Sequence, residues 1–436
     1  MLFKNWHKVS LFELIFVFFT LNFYPLIDKA VILAGGLGTR LKGILGEMPK
    51  PMAPINKLPF LHYLLNYLSN QGVKEVFLCV GFHHQVIVRY FGDHFRDIKI
   101  FYTIEKELLG TGGAIMPVLS KWREPFFLLN GDTFFEADLK SFSEAFFKLR
   151  PLASLSLKPV FNQDRYGAVQ LEEDKITSFT EKKFLASGLI NAGVSILTPE
   201  IFEGKLQGDV FSYEKDLFEK KAATHFLHGF VQDEYFIDIG IPEDYEKAQR
   251  EIPMRFFTQT HSAKFLFLDR DGVINKHLPG DYVKNIEQFE FLPGVLDALV
   301  QFSSYFNHIV VVTNQQGIGK GLYTEDDLKE VHTFMLEKIT EAGGRLDAVY
   351  FCPSLEKNND PCRKPNVGMG LQAQQDFPDI DFKQSVMIGD SMSDMQFGRN
   401  LGMFTIWISS DADKIFNPDL VDLRMDGLKE VANLLQ

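Results

Sequence analysis

Short apolar runs alternate with longer stretches of helical spacing along most of this chain. Residues 30–33 are apolar, end in glycines and read as a buried strand. In 59–71, Leu61, Leu64, Leu65 and Leu68 recur at helical spacing. Residues 75–80 read as a strand, 83–91 as a helix and 99–103 as a strand. Residues 110–119 open with glycines and turn helical, and 125–129 is a buried strand ending in Asn130-Gly131-Asp132. Further strands are predicted around 154–158, 168–171 and 193–197. Such alternation predicts a parallel sheet covered by helices on both faces, with ligands at the carboxyl ends of the strands.

Residues 255–262 lack an apolar period and read as a linker. Beyond it the alternation resumes, with strands at 264–268, 308–313, 348–351 and 385–388 and helices at 294–302, 324–342 and 370–377. The predicted fold class is therefore α/β, in two domains, because 436 residues are too many for one core. The boundaries are 28–253 for the first domain, 254–263 for the linker and 264–436 for the second domain. Residues 1–27 form a hydrophobic extension, in which Lys4 and Lys8 precede an uncharged, mostly apolar run from 14 to 27. That run is shorter than the roughly 17–25 residues of a spanning helix, and no small-x-small cleavage site follows it. The preferred reading is an over-long start or a poorly ordered appendage without stable membrane insertion. A weak anchor is the alternative.

Charge and cysteine usage narrow the function classes. A net charge of −12 argues against a general nucleic-acid binder. An acidic protein that handles phosphates must gather its cations locally or recruit Mg²⁺. Three cysteines, Cys79, Cys352 and Cys362, make no disulfide framework and fit a reducing cytoplasm.

The first candidate chemistry follows the first strand. Gly35, Gly36 and Gly38 allow a tight turn whose amide groups can point at a polyphosphate. Arg40 and, in Pro49-Lys50-Pro51, Lys50 add cations. Asp132 and Asp238 are strand-end carboxylates of the kind that hold Mg²⁺. Taken singly, each is more often a turn or cap residue.

Together these residues resemble the signature of the sugar-phosphate nucleotidyltransferases, which join a nucleoside triphosphate to a sugar 1-phosphate. The resemblance implies a Rossmann-like domain with a mixed sheet, with Asp132 and Asp238 as metal ligands. It implies that the loop opening at Gly110 packs against the nucleobase. It further implies that Glu181, Lys182 and Asn191 contact the sugar phosphate. Within the family the likeness is greatest to heptose 1-phosphate and mannose 1-phosphate guanylyltransferases and to uridylyltransferases of amino-sugar salvage. These motifs alone do not separate the bases or the sugars.

The second candidate chemistry is sharper. In Phe265-Leu266-Phe267-Leu268-Asp269-Arg270-Asp271-Gly272 an apolar strand delivers two aspartates two residues apart. One carboxylate can attack phosphorus while the other handles the leaving-group proton. This resembles the haloacid dehalogenase-type phosphatases, a doubly wound α/β fold. The resemblance implies that Asp269 is the nucleophile and Asp271 the acid–base. It further implies that Thr313 holds the phosphoryl group, that Lys364 balances charge, and that Asn314 and Arg363 bind substrate. Mg²⁺ is implied at Asp269, Asp271 and Asp390, with Asp394 in support. Segments 281–283, 291–294 and 313–318 resemble the branch that cleaves D-glycero-D-manno-heptose 1,7-bisphosphate at C7, with histidinol-phosphate phosphatases as relatives. Lys320 stands where that branch usually shows arginine. Many members carry a zinc knuckle of four cysteine and histidine ligands. Here Ser354 and Asp360 replace two of them, so no zinc is predicted, and Cys352 and Cys362 are expected to be reduced or incidental.

The two resemblances imply consecutive steps. Loss of the C7 phosphate precedes activation of heptose 1-phosphate, with GTP favoured, to GDP-heptose for surface polysaccharide. The expected setting is cytoplasmic, with Mg²⁺ at both sites. The alternatives are a mannose or amino-sugar nucleotidyltransferase fused to a histidinol-phosphate-type phosphatase, or a non-catalytic regulatory module in one half.

Overall fold

The computed structural model describes residues 25–435 apart from 37–40, 82, 106, 181–183, 223, 225, 259–262, 412 and 413. The extension expected at 1–27 lies outside the described residues as far as 24. Internal contacts divide the chain into two compact units. The first joins the residues up to 36 with 67–82 and 98–236, and the second joins 37–66 and 83–97 with 237–436. The segment expected as a linker is helical as far as Thr258, where Phe256 and Phe257 extend the buried face of α1 (Pro242–Thr258).

The strands of the first unit are β1 (Lys29–Leu33), β2 (Glu75–Val80), β3 (Ile98–Ile104), β4 (Phe126–Asn130), β5 (Ala153–Gln163), β6 (Val169–Glu172), β7 (Lys175–Phe179), β8 (Leu185–Leu197) and β9 (Leu227–Val231). They lie in the order β6-β7-β9-β5-β8-β4-β1-β2-β3. β1 runs parallel to β2 and β4, and β8 runs antiparallel to β4 and β5, so the sheet is mixed as expected. β1, β2 and β4 are near-continuous apolar runs, as strands covered on both faces must be, whereas β3 exposes Lys99 and Ile104. The strand order reverses between β1 and β4, which opens a crevice at their carboxyl ends. Leu33 and Asn130 are register partners there, so the loops that follow them leave the sheet side by side.

The second unit is built on β10 (Phe265–Leu268), β11 (His308–Asn314), β12 (Ala348–Cys352), β13 (Ser385–Gly389), β14 (Phe404–Ile408) and β15 (Leu423–Met425). All pairs are parallel, in the order β12-β11-β10-β13-β14-β15. The long connections carry α2 (Val295–Tyr305), α3 (Glu325–Glu341), α4 (Gly368–Asp376) and α5 (Met392–Leu401). This is the doubly wound arrangement expected, and its order reverses between β10 and β13. Among the described residues, no helix is long and apolar enough to cross a membrane.

Candidate active sites

In the first unit the switch-point loops are held by backbone. The Gly131 amide donates to the Leu33 carbonyl at 3.0 Å, and a Cβ on Gly131 would stand 2.6 Å from that oxygen. Only glycine permits this approach, which sets Asp132 beside the end of β1. Gly36 has open space around it, whereas a Cβ on Gly35 would meet Glu105 Oε2 at 2.9 Å. Gly38 and Arg40 lie outside the described residues, as do Glu181 and Lys182. Gly110 has φ +74° and opens a one-turn helix, Gly110–Gly113. That turn is stitched to a second segment, since Gly112 N donates to Phe211 O at 2.9 Å and Phe211 N donates to Leu109 O at 3.0 Å. Tyr213 extends the stitch, its amide donating to Thr111 Oγ1 and its hydroxyl to Asn130 Oδ1, both at 3.3 Å. Asn191 lies at a register shift in β8, and its Oδ1 accepts from the Gly193 amide at 3.1 Å. A Cβ on Gly193 would meet Thr133 and Asn130 at 3.2–3.3 Å, so this bulge is aimed at the loop that carries Asp132.

Glu105 and Tyr213 were not singled out from the sequence. Glu105 follows β3, and its Oε1 accepts from the Leu109 amide at 3.3 Å. Burial pushes its carboxyl above the ordinary range, opposed by that hydrogen bond. A carboxylate over the first glycine of the loop is legible only once β1 and β3 share a sheet.

In the second unit, Lys50 and Asp238 come together with Nζ 3.7 Å from Oδ1. The Gly240 amide donates to the same oxygen at 2.7 Å, and a Cβ on Gly240 would collide with it.

The second constellation lies where β10, β11 and β13 end, in a cleft of about 400 Å³. Asp269 is buried at the end of β10, its amide donating to Ile388 O at 2.9 Å. Lys364 Nζ is 2.9 Å from Asp269 Oδ1 and 2.5 Å from Asp394 Oδ1. Burial raises the Asp269 carboxyl, Lys364 opposes that rise, and Asp394, Asp390 and Asp271 add to it. Lys364 is placed by Asn314, whose Oδ1 accepts from the Lys364 amide at 3.0 Å and whose Nδ2 donates to its carbonyl at 3.1 Å. Thr313 Oγ1 accepts from Gln315 Nε2 at 2.8 Å, which leaves its proton for an incoming oxygen. Asp390 is pushed up to about 6 by burial and by Asp394. Asp394 also caps α5, accepting from the Ser391 amide and hydroxyl.

Asp271 is held differently. Arg270, fully buried, donates from Nη2 to both of its oxygens at 2.8–2.9 Å, and Asn275 and Gln315 each donate at 2.9 Å. Burial opposes ionisation there, but the Arg270 charge and these bonds hold the carboxyl below its ordinary range. Arg270 Nη1 in turn faces His332 Nε2 at 3.1 Å, and burial with Arg270 lowers His332 to about 3, so the ring is neutral and accepts. The carboxylates that converge within 4.8 Å are Asp269, Asp390 and Asp394, while that of Asp271 is committed to Arg270. Arg270, Asn275, Gln315 and His332 escaped the sequence reading. The one signal was an arginine between two motif aspartates at the end of an apolar strand.

One expectation is overturned. Cys352 and Cys362 are neither reduced nor incidental, because they form a disulfide across ten residues. Asp360 turns the intervening loop back, accepting from the Cys362 amide at 2.9 Å and from Ser354 Oγ at 2.5 Å. Asp360 lies with the two sulfurs, but in this state neither sulfur is a thiolate, and the set does not fit zinc. Arg363 follows the disulfide, donating from Nη1 to Ser354 O at 3.3 Å.

Family models match both halves, that for nucleotidyl transferase over residues 29–255 and that for HAD-hydrolase-like proteins over 361–421. The chain is a nucleotidyl transferase family member fused to a HAD-like hydrolase. It is 44% identical to the D-glycero-alpha-D-manno-heptose 1-phosphate guanylyltransferase of Aneurinibacillus thermoaerophilus, over 51% of this chain and 98% of that protein. Its second half is 40% identical to the D-glycero-alpha-D-manno-heptose-1,7-bisphosphate 7-phosphatase of Campylobacter jejuni, over 35% of this chain and 85% of that protein. Among solved structures, HddC from Yersinia pseudotuberculosis is 39% identical, with a TM-score of 0.47 over 51% of this chain and 98% of that one.

Proposed function

We propose that this chain performs two consecutive steps of nucleotide-sugar synthesis. The second half removes the C7 phosphate of D-glycero-D-manno-heptose 1,7-bisphosphate. The first half then joins the remaining heptose 1-phosphate to GTP, giving GDP-heptose and pyrophosphate. What carries the reading is that the two relatives act, by name, on one sugar at successive phosphorylation states, and that they match adjacent halves of one chain. The product of one half is the substrate of the other, which favours heptose over mannose.

In the phosphatase, Asp269 is the nucleophile. Its oxygen attacks phosphorus, the bond to the C7 oxygen breaks as that oxygen takes a proton from Asp271, and an aspartyl phosphate forms. Thr313 donates its hydroxyl proton to the phosphoryl group, and Lys364 balances its charge. Asp271, held ionised by Arg270, is suited to take the proton of the water that hydrolyses the intermediate. Asp269 and Asp390, with Asp394 beside them, fit Mg²⁺, because three crowded carboxylates, two of them raised by burial and by their neighbours, are a donor set for a hard cation. Mg²⁺ supplies neutralisation of the phosphoryl oxygens there.

In the transferase, the sugar phosphate attacks the α-phosphorus directly and the protein positions charge. The glycine loop with Arg40 and Lys50 is assigned to the triphosphate. The loop at Gly110 is assigned to the base, and Asn191, Glu181 and Lys182 to the sugar. Asp132 and Asp238 are assigned to Mg²⁺. GTP and sugar phosphates are cytoplasmic metabolites, and the cytoplasm is the proposed setting.

The test offers heptose 1,7-bisphosphate, GTP and Mg²⁺ to the full chain and follows phosphate, pyrophosphate and GDP-heptose. Asp269→Asn is expected to abolish all three products, with GDP-heptose restored when heptose 1-phosphate is supplied. Asp132→Ala is expected to release phosphate but form no GDP-heptose. Loss of both activities in either variant refutes two independent sites.

A further inference from the structure

We infer that Lys320, held by Tyr282, binds the phosphate that the phosphatase does not cleave. The inference rests on the proposed bisphosphate substrate and assigns the residue that distinguishes it from a monophosphate. The cleft is lined at its floor by Asp269, Thr313 and Asp390, and on its wall by Tyr282 and Lys320. Its volume of about 400 Å³ exceeds what one phosphoryl group needs and suits a sugar with a second phosphate.

The two lysines that line this cleft are not equivalent. Lys364 is committed to Asp269 and Asp394. Lys320 is exposed and forms no ion pair among the described residues, and its Nζ donates to Tyr282 Oη at 3.0 Å. Asp281, also in the cleft wall, is ion-paired with Lys284 at 2.8 Å rather than with Lys320. An uncleaved phosphate carries charge near −2, which the acidic floor repels and this ammonium attracts.

The placement is built into the fold. Lys320 ends the turn Gln316–Gly319, whose last amide donates to Pro353 O at 3.2 Å. A Cβ on Gly319 would stand 2.6 Å from that carbonyl, so the turn sits directly on the loop after β12. A Cβ on Gly317 would meet the Tyr323 ring at 2.2 Å and the Tyr282 ring at 3.0 Å. The two tyrosines therefore pack onto the turn itself, and the Tyr282 ring lies 5.3 Å from the Lys320 ammonium. A lysine with its head oriented by a hydroxyl and a ring loses less side-chain freedom on binding an anion.

The test compares heptose 1,7-bisphosphate with heptose 7-phosphate, following phosphate release by the full chain with Mg²⁺. In the wild type, kcat/KM favours the bisphosphate. Lys320→Met is expected to cut that preference roughly 10- to 100-fold, as a hydrogen bond to a charged group predicts. The loss falls on the KM for the bisphosphate with kcat nearly retained, and Lys320→Arg recovers most of it. An equal loss on both substrates, or an unchanged preference, overturns the subsite while leaving the proposed function standing. A wild type that hydrolyses p-nitrophenyl phosphate but neither heptose phosphate refutes the proposed function, and the subsite falls with it.

Discussion

Gly272 has no room for a side chain. Its φ is +84°, and a Cβ would lie 2.2 Å from Asp390 Oδ2. Alanine there costs about 1–2 kcal/mol in backbone conformation and must also displace a carboxylate of the acidic cluster. Gly272→Ala is therefore expected to lower phosphate release from heptose 1,7-bisphosphate by at least about 100-fold. GDP-heptose formation from supplied heptose 1-phosphate should persist. Retained phosphate release in the variant counts against the close approach. At this scale the motif residues were legible because they sit at strand ends in a recognisable order. What holds Asp271 was not. Gln315, just after β11, and His332, in α3, reach Arg270, and nothing local in the sequence pairs them.

At the scale of elements, the segment between β12 and Lys364 is closed on itself by the disulfide. It begins at Cys352, turns at Asp360 and returns to Cys362, two residues before the lysine that bridges Asp269 and Asp394. Neighbouring elements grip both ends, since Gln315 N donates to Cys352 O at 2.8 Å and Asn314 brackets Lys364. Closing a loop of this length constrains the unfolded chain by about 2–3 kcal/mol. A thiol reductant is expected to lower the melting temperature of the second unit by several degrees. Cys362→Ser should melt at the reduced value and ignore the reductant. Calorimetry with and without reductant decides it, and identical curves for the wild type refute a stabilising disulfide. Periodicity predicts the strands and helices flanking this loop to within a few residues. It does not predict the disulfide, because thiol pairing depends on a turn made by one carboxylate. The strands β14 and β15 and the helix α5 are not among the predicted elements.

For the whole molecule, the sequence divides at a linker while the contacts divide elsewhere. The reason is long-range polar packing that leaves no periodic trace. Asn66 Nδ2 donates to Asp422 Oδ1 at 3.2 Å, and Arg96 and Arg399 pair with the same carboxylate. His62 lies fully buried in this cluster, and burial followed by the Arg96 charge lowers it to about 3. In the unfolded chain it titrates near its ordinary value of about 6.5. Between those two values the unfolded state binds the extra proton. His62 therefore contributes stability that is fully present above about pH 6.5 and is lost as pH falls toward 3. The slope is up to about 1.4 kcal/mol per pH unit. Raised carboxyls such as Asp390 act in the opposite direction over part of this range, so the wild-type curve alone does not isolate the histidine. A difference between two proteins does. His62→Gln keeps a polar side chain without a titrating proton, and both proteins share every carboxylate. The variant is expected to be less stable at pH 7 because its amide is buried. Its deficit in urea unfolding free energy should shrink steadily from pH 6.5 to pH 4.5, as the wild type gives up the contribution of its neutral imidazole. A deficit that stays constant across that interval means that His62 does not titrate on unfolding.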